Sequence, residues 1–115
     1  MWRLPAIAFL IVATPAAVLA HHGWGSYDAS KLVIVEGPIQ ASTYANPHAQ
    51  ITVKAPAKIW TVTLAPISRM RSRGAPADFV AVGKIIKVEG YASKTEPGEM
   101  RAERITVDGK TVEMR

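Results

Sequence analysis

Cysteine is absent from the 115 residues, which excludes disulfides, thiolate metal sites and a lipid-bearing thiol. Stability must then come from packing alone. Aromatic residues make up only 7% of the chain, too few for the base-stacking sheet of an oligonucleotide reader, where Trp60 and Tyr91 are the only candidates on strands. Carboxylates are also sparse. Asp28, Glu36 and Glu89 form no recognisable catalytic pair, Ser26 and Ser42 lack any nucleophile motif, and no glycine-rich phosphate cradle is present.

Long apolar runs are missing too, except at the start. Met1-Trp2-Arg3 precedes an uncharged stretch over residues 4–19 that closes on Val18-Leu19-Ala20. This has the n-region, h-region and small-residue ending of a secretory signal peptide, with Pro15 as a breaker. The run is shorter than the ~20 residues of a spanning helix and holds two prolines, so no membrane span is expected after cleavage. The expected organisation is a signal peptide over 1–20, cut between Ala20 and His21, an N-terminal arm over 21–31 and one domain over 32–115. Localisation is expected to be periplasmic or secreted. The mature charge, 13 basic against 9 acidic residues once Arg3 is removed, is too mild and interspersed to indicate nucleic acid.

Within the domain, period-two alternation dominates. Leu32 to Thr43 is β-branched, with Val33, Val35, Gly37, Ile39 and Ala41 on one parity and a bend expected at Gly37-Pro38. Ile51 to Ala55 and Trp60 to Leu64 read as a hairpin. Pro66 to Arg73 reads as a short helix stopped by Gly74, with Ile67 and Met70 on its apolar face. Val80, Val82, Ile86, Val88 and Tyr91 mark a fourth strand, Pro97-Gly98 a type II turn, Met100 to Val107 a fifth strand, and Val112 a terminal stub. This order predicts an all-β fold. The expected form is a small five- to six-stranded Greek-key barrel, like the oligonucleotide/oligosaccharide-binding (OB) fold, with one short helix between strands 3 and 4. A meander sandwich is the competing architecture.

Three histidines carry the chemical signal. His21 and His22 would open the mature chain, and His48 follows the turn Asn46-Pro47 at the head of strand 2. A free α-amine and the His21 imidazole can chelate one ion together, and His48 can complete a three-nitrogen set. His22 offers a second mode through the amine, its own amide and its imidazole. Planar nitrogen coordination suits copper; zinc, the alternative, prefers a tetrahedral set with a further ligand such as Asp28. The structural alternative makes His21-His22 a polar start and His48 a turn-fixing residue. Trp24, between Gly23 and Gly25, either staples the arm to the barrel or shields a metal site. Asn46 and Pro47 would support the site by shaping the turn. Met70, Met100 and Met114 are too widely separated for a thioether site and read as core or surface, and Trp60 reads as core. Arg69, Arg71 and Arg73 read as a solvated basic face.

Ala20-His21-His22, Val35-Glu36-Gly37, Asn46-Pro47-His48-Ala49, Val88-Glu89-Gly90-Tyr91 and Arg101-Ala102-Glu103-Arg104-Ile105 together resemble an uncharacterised family of small exported bacterial proteins, domain of unknown function 6152. The resemblance spans the mature chain. It implies a periplasmic location and a compact β-barrel, and brings no established activity. The chain differs from the family's frequent pattern in having Gln50 in place of an aromatic and Tyr44-Ala45 in place of Trp-Thr.

The leading functional expectation is a non-catalytic periplasmic module that binds copper through His21, His22 and His48. The alternative is a metal-independent envelope module for an anionic polymer or a periplasmic partner protein. A histidine-brace copper oxidase or monooxygenase stands third, because 95 residues offer little platform for a substrate.

Overall fold

The computed structural model describes residues 24–115. The signal peptide expected over 1–20, His21, His22 and the first residues of the arm lie outside the described residues. Six strands and one short α-helix make up the fold: β1 (Tyr27–Thr43), β2 (Gln50–Lys54), β3 (Ile59–Thr63), α1 (Ile67–Ser72), β4 (Ile85–Ser93), β5 (Glu99–Val107) and β6 (Lys110–Glu113). Two short 3-10 turns, Trp24–Ser26 and Ala77–Val80, complete it.

The sheet runs β3-β2-β1-β4-β5-β6 and closes on itself where β3 pairs in parallel with β5, Thr61 to Glu99 and Thr63 to Arg101. Every other pairing is antiparallel. This ring, with α1 between β3 and β4, is the OB-like barrel expected from the order of elements. The parity of the strands fills it. Ile51, Val53, Val62, Leu64, Ile86, Val88, Met100, Ala102, Ile105 and Val107 point inward and are almost fully buried, together with Met70 of α1. Met114 is a core residue as well, and Trp60 packs partly buried against the core cluster with Lys58 over its ring at 4.0 Å.

β1 serves both halves of the ring. Residues 32–38 pair with β4, and from Ile39 onward the strand pairs with β2, with a bulge between Ile39 and Ala41. The bulge ends the expected parity, and Ala41 is exposed. Gly37 sits at the bend because a Cβ there would overlap the Lys54 carbonyl oxygen. A second bulge leaves Glu103 between the pairs Glu89–Arg104 and Gly90–Ala102. There the strands approach so closely that a Cβ on Gly90 would overlap the Arg101 carbonyl oxygen and lie 2.9 Å from Ala102 Cα.

The turns follow their residues. Gly98 has φ 77° and Glu99 N–H donates to the Glu96 carbonyl at 3.3 Å, the type II turn expected of Pro97-Gly98. Asp108 and Gly109 both have positive φ, as a two-residue hairpin between β5 and β6 requires. Helix α1 ends on Gly74 (φ 81°), with Gly74 N–H donating to Arg71 and Ala75 N–H to Met70, the paired bonds of a Schellman cap. Pro66 takes the N-cap position just outside the helix.

Two boundaries differ from expectation. β1 starts at Tyr27, so residues 27–31, expected in the arm, belong to the strand. Tyr27 pairs with Ser93 and Leu32 with Tyr91, and residues 28–31 bulge between them around a turn in which Ser30 N–H donates to Asp28 Oδ1 at 3.1 Å. Such local hydrogen bonding interrupts alternation and hides the strand from a periodicity reading. Fourth-strand pairing starts only at Ile85. Val80 instead closes a 3-10 turn with its side chain in the core, and Val82 is exposed before Gly83 at φ 93°.

Replacing Gly90 with Ala is expected to destabilise the barrel by about 2–3 kcal/mol, the cost of forcing a methyl group against backbone. Gly25→Ala, whose added Cβ would meet nothing within 4 Å, is the matched control. Urea denaturation of the two variants checks this.

Candidate functional site

The outer face of the barrel carries the features that the interior does not absorb. Paired residues of a ladder point to the same face, so Tyr91, Arg101 and Thr63 stand together outside the ring. The bulge over 28–31 turns Tyr27 onto this face beside Ser93. Its side chain shares a hydrogen bond with Thr63, the one buried polar residue among those described.

Trp24 lies on top. Its ring meets Tyr27 and Tyr91 edge-on at 6.4 and 6.1 Å, and the guanidinium carbons of Arg101 and Arg115 stand 4.2 and 4.6 Å from its centroid. Two arginines on one indole, with two tyrosines at its edge, give a cation–π and aromatic cluster. Of the two roles expected for Trp24, stapling the chain to the barrel is the one its contacts fulfil. Arg115 also pairs with Glu103 at 3.6 Å. Burial pulls the Arg101 guanidinium below its ordinary value, and the neighbouring charges of Arg69 and Arg115 act in the same direction.

The helix arginines have definite tasks. Arg69 donates to the Met114 carbonyl at 2.9 Å, and Arg73 donates to those of Glu113 and Arg115 at 2.7 and 2.9 Å. They fasten the end of β6 and the two residues after it to α1, where a solvated basic face was expected. Arg71 stands 5.6 Å from the Tyr44 ring centroid, and the Tyr44 hydroxyl donates to the Ala75 carbonyl at 2.8 Å.

His48 stands at the head of β2, half-buried, after a cis Asn46-Pro47 peptide, with Asn46 and Pro47 themselves exposed. Its Nδ1 is 3.2 Å from the Ala49 carbonyl oxygen. Ala49 and Leu64/Ala65 exchange backbone bonds, so the β2–β3 ladder continues to Ala49 and His48 keeps the outward parity of Gln50. Gln50 pairs with Thr63, and Thr63 with Arg101. At ~4.8 Å between strands and ~3.4 Å per residue, His48 therefore lies about 12 Å from Arg101 across the same outer face. Asp28 is occupied in its turn, where the Ser30 hydroxyl and then the Ser30 amide hold its carboxyl below the usual range. Among the described residues no group of three or more His, Asp or Glu side chains converges as a metal site, and no pocket opens in the filled barrel.

Sequence reading reached Trp24 and His48 but missed Arg101 and Arg115 as partners of the indole. The available signal was parity, which sets Arg101 opposite the inward Met100 and Ala102; Arg115, beyond β6, carried none.

The fold and its outer cluster define a small closed β-barrel whose N-terminal segment is stapled to the sheet by tryptophan and arginine. The chain belongs to a family described as "Family of unknown function (DUF6152)", which matches residues 8–101. β6 and the tail held by Arg69 and Arg73 lie past the matched stretch. No curated protein matches the chain.

Burial is the main cause that raises the Tyr27 hydroxyl above its ordinary value of 10.0. The folded chain thus keeps a proton that the unfolded chain releases, so this contribution is complete below about pH 10 and declines as pH rises further. Tyr27→Phe is expected to flatten that decline while costing about 1 kcal/mol at pH 8 through the lost Thr63 bond. Urea denaturation between pH 8 and 11.5 checks both. Trp24→Ala should leave the core transition intact but sharply increase proteolysis within residues 24–31, read by limited digestion and intact mass.

Proposed function

We propose that this protein is an exported, periplasmic module that binds copper without catalysis, through the amine and imidazole of His21 as first mature residue and the imidazole of His48. His22 provides an alternative ligand. The observation that carries the reading is the shared face of Trp24 and His48. Trp24 fixes the described chain near Arg101, about 12 Å from His48, and residues 21–23 span up to ~10 Å before side-chain length is counted. Histidines three and two residues before this anchor are within reach of His48. Three nitrogens from an amine and two imidazoles favour Cu(II) over zinc, which would want a fourth, tetrahedral ligand.

Asp28, the carboxylate suggested for a zinc site, is already held by Ser30, which further favours copper. The arginine and tyrosine side chains around Trp24 favour a second reading, recognition of an anionic envelope polymer. Salt separates the two, since polymer binding weakens steeply with ionic strength and survives loss of residues 21 and 22.

The test uses tag-free protein exported by its own leader, with its first residue established by intact mass and Cu(II) titration followed by EPR. A start at His21 and one tight tetragonal nitrogen site are expected. His48→Ala should weaken that site at least tenfold, and one extra residue before His21 should do the same. Unchanged affinity in His48→Ala removes His48 as a ligand. A different mature start, or only weak nonspecific binding, overturns the copper reading.

A further inference from the structure

The long strand β1 has an edge that no described strand covers. β2 reaches only as far back as Ile39, while β4 pairs with β1 through Leu32–Pro38 on the other side. The direction of the open backbone groups follows from Ile39, whose N–H donates to Lys84 and whose carbonyl accepts from Gly83 at the start of β4. Alternation in an antiparallel ladder then turns Val33, Val35 and Gly37 toward β4, and Leu32, Ile34 and Glu36 away from it. The same three residues are exposed, Leu32 and Ile34 by 49% and 58%, on the outer face. An edge of this length with aliphatic side chains is a template for another strand.

We propose that this edge pairs antiparallel with the same edge of a second copy of the chain, about a two-fold axis through Ile34. Self-complementarity selects a second copy as the occupant. With Ile34 opposite Ile34, Leu32 faces Glu36 and Val33 faces Val35. Each outward residue then meets an outward residue, whose N–H and carbonyl it can satisfy. No charge meets its like across the axis. Glu36 already sits beside Lys87 of its own β4, and its new neighbour is the Leu32 side chain. Shifting the axis to Leu32 would instead run the pairing into the bulge over residues 28–31, and shifting it to Glu36 would oppose Glu36 to Glu36, so the strand's shape and charge fix the register. The ladder has natural ends. Pro38 offers no amide on one side, and the Asp28–Ser30 turn leaves the strand line on the other. An interface of one strand pair is small, so the dimer is expected to be weak, with a Kd of about 10–100 μM.

Sedimentation velocity on the exported, tag-free protein from about 5 to 500 μM should show a concentration-dependent monomer–dimer equilibrium. The register is tested with two variants at the exposed Leu32. Leu32→Glu sets like charges across the axis and should weaken the dimer at least tenfold, whereas Leu32→Lys sets opposite charges and should hold or tighten it. Both remove the same apolar side chain, so the difference between them reports pairing rather than stickiness. Amide exchange gives a second readout. The N–H groups of Leu32, Ile34 and Glu36 should exchange fast in dilute protein and slow in concentrated protein, with Val33, Val35 and Gly37 protected throughout. A monomer at all concentrations overturns the proposal. So does a dimer with equal Leu32→Glu and Leu32→Lys affinities, or protection of Ile34 that does not depend on concentration, which would mean that another segment of the same chain covers the edge.

Discussion

The parallel contact between β3 and β5 is the constraint on which the rest of the molecule depends. Without the pairing of Thr61–Thr63 with Glu99–Arg101 the sheet would be an open ribbon with β3 at one margin and a core facing water. Closing the ring lets a chain with no cysteine bury Ile51, Val62, Met100 and Ile105 against one another. The contact is short, and the buried Tyr27 is tied to it by a hydrogen bond with Thr63. The N-terminal staple and the closure of the barrel are thus adjacent parts of one arrangement: the segment that carries Trp24 meets the sheet at Arg101, where β5 pairs with β3.

That arrangement explains why cations gather on an otherwise mildly charged protein. Arg101 faces outward because its neighbours Met100 and Ala102 face inward, and Trp24 gives its partly buried guanidinium a π surface. Arg69 and Arg73 spend their donors on carbonyls at and just past the end of β6, where a helix of six residues alone would offer little grip. Structural work therefore accounts for several of the basic residues, and the net charge overstates how much positive surface remains for a ligand. The exposed ion pairs, such as Lys84 with Asp108 at 2.8 Å, add little to this.

Most of the fold was legible in the sequence because its rules are local. Alternation announced β2, β3 and β5, and Gly74, Pro97-Gly98 and Asp108-Gly109 each sat where backbone geometry demands them. The errors share a cause. At Tyr27 and at Ile39 a bulge shifts the phase of β1, and at Val80 a core side chain belongs to a turn, so periodicity misled where side-chain direction and strand phase part company. The site was less legible. Trp24 drew attention for its lack of context, yet its partners Arg101 and Arg115 come from strand pairing and from the tail, which no local pattern encodes. His48 stood out by its turn, and its place in the row Arg101–Thr63–Gln50 required the register.

The stack of Trp24 with Arg115 has one more consequence. It brings the first and last described residues within about two side-chain lengths of each other, although 90 residues separate them in sequence. The architecture is in effect circular. A short linker between these positions, with new ends opened in the exposed turn at Thr95-Glu96, would give a permuted barrel that keeps every strand pairing. The order in which the strands are joined is then separable from the order in which they pack.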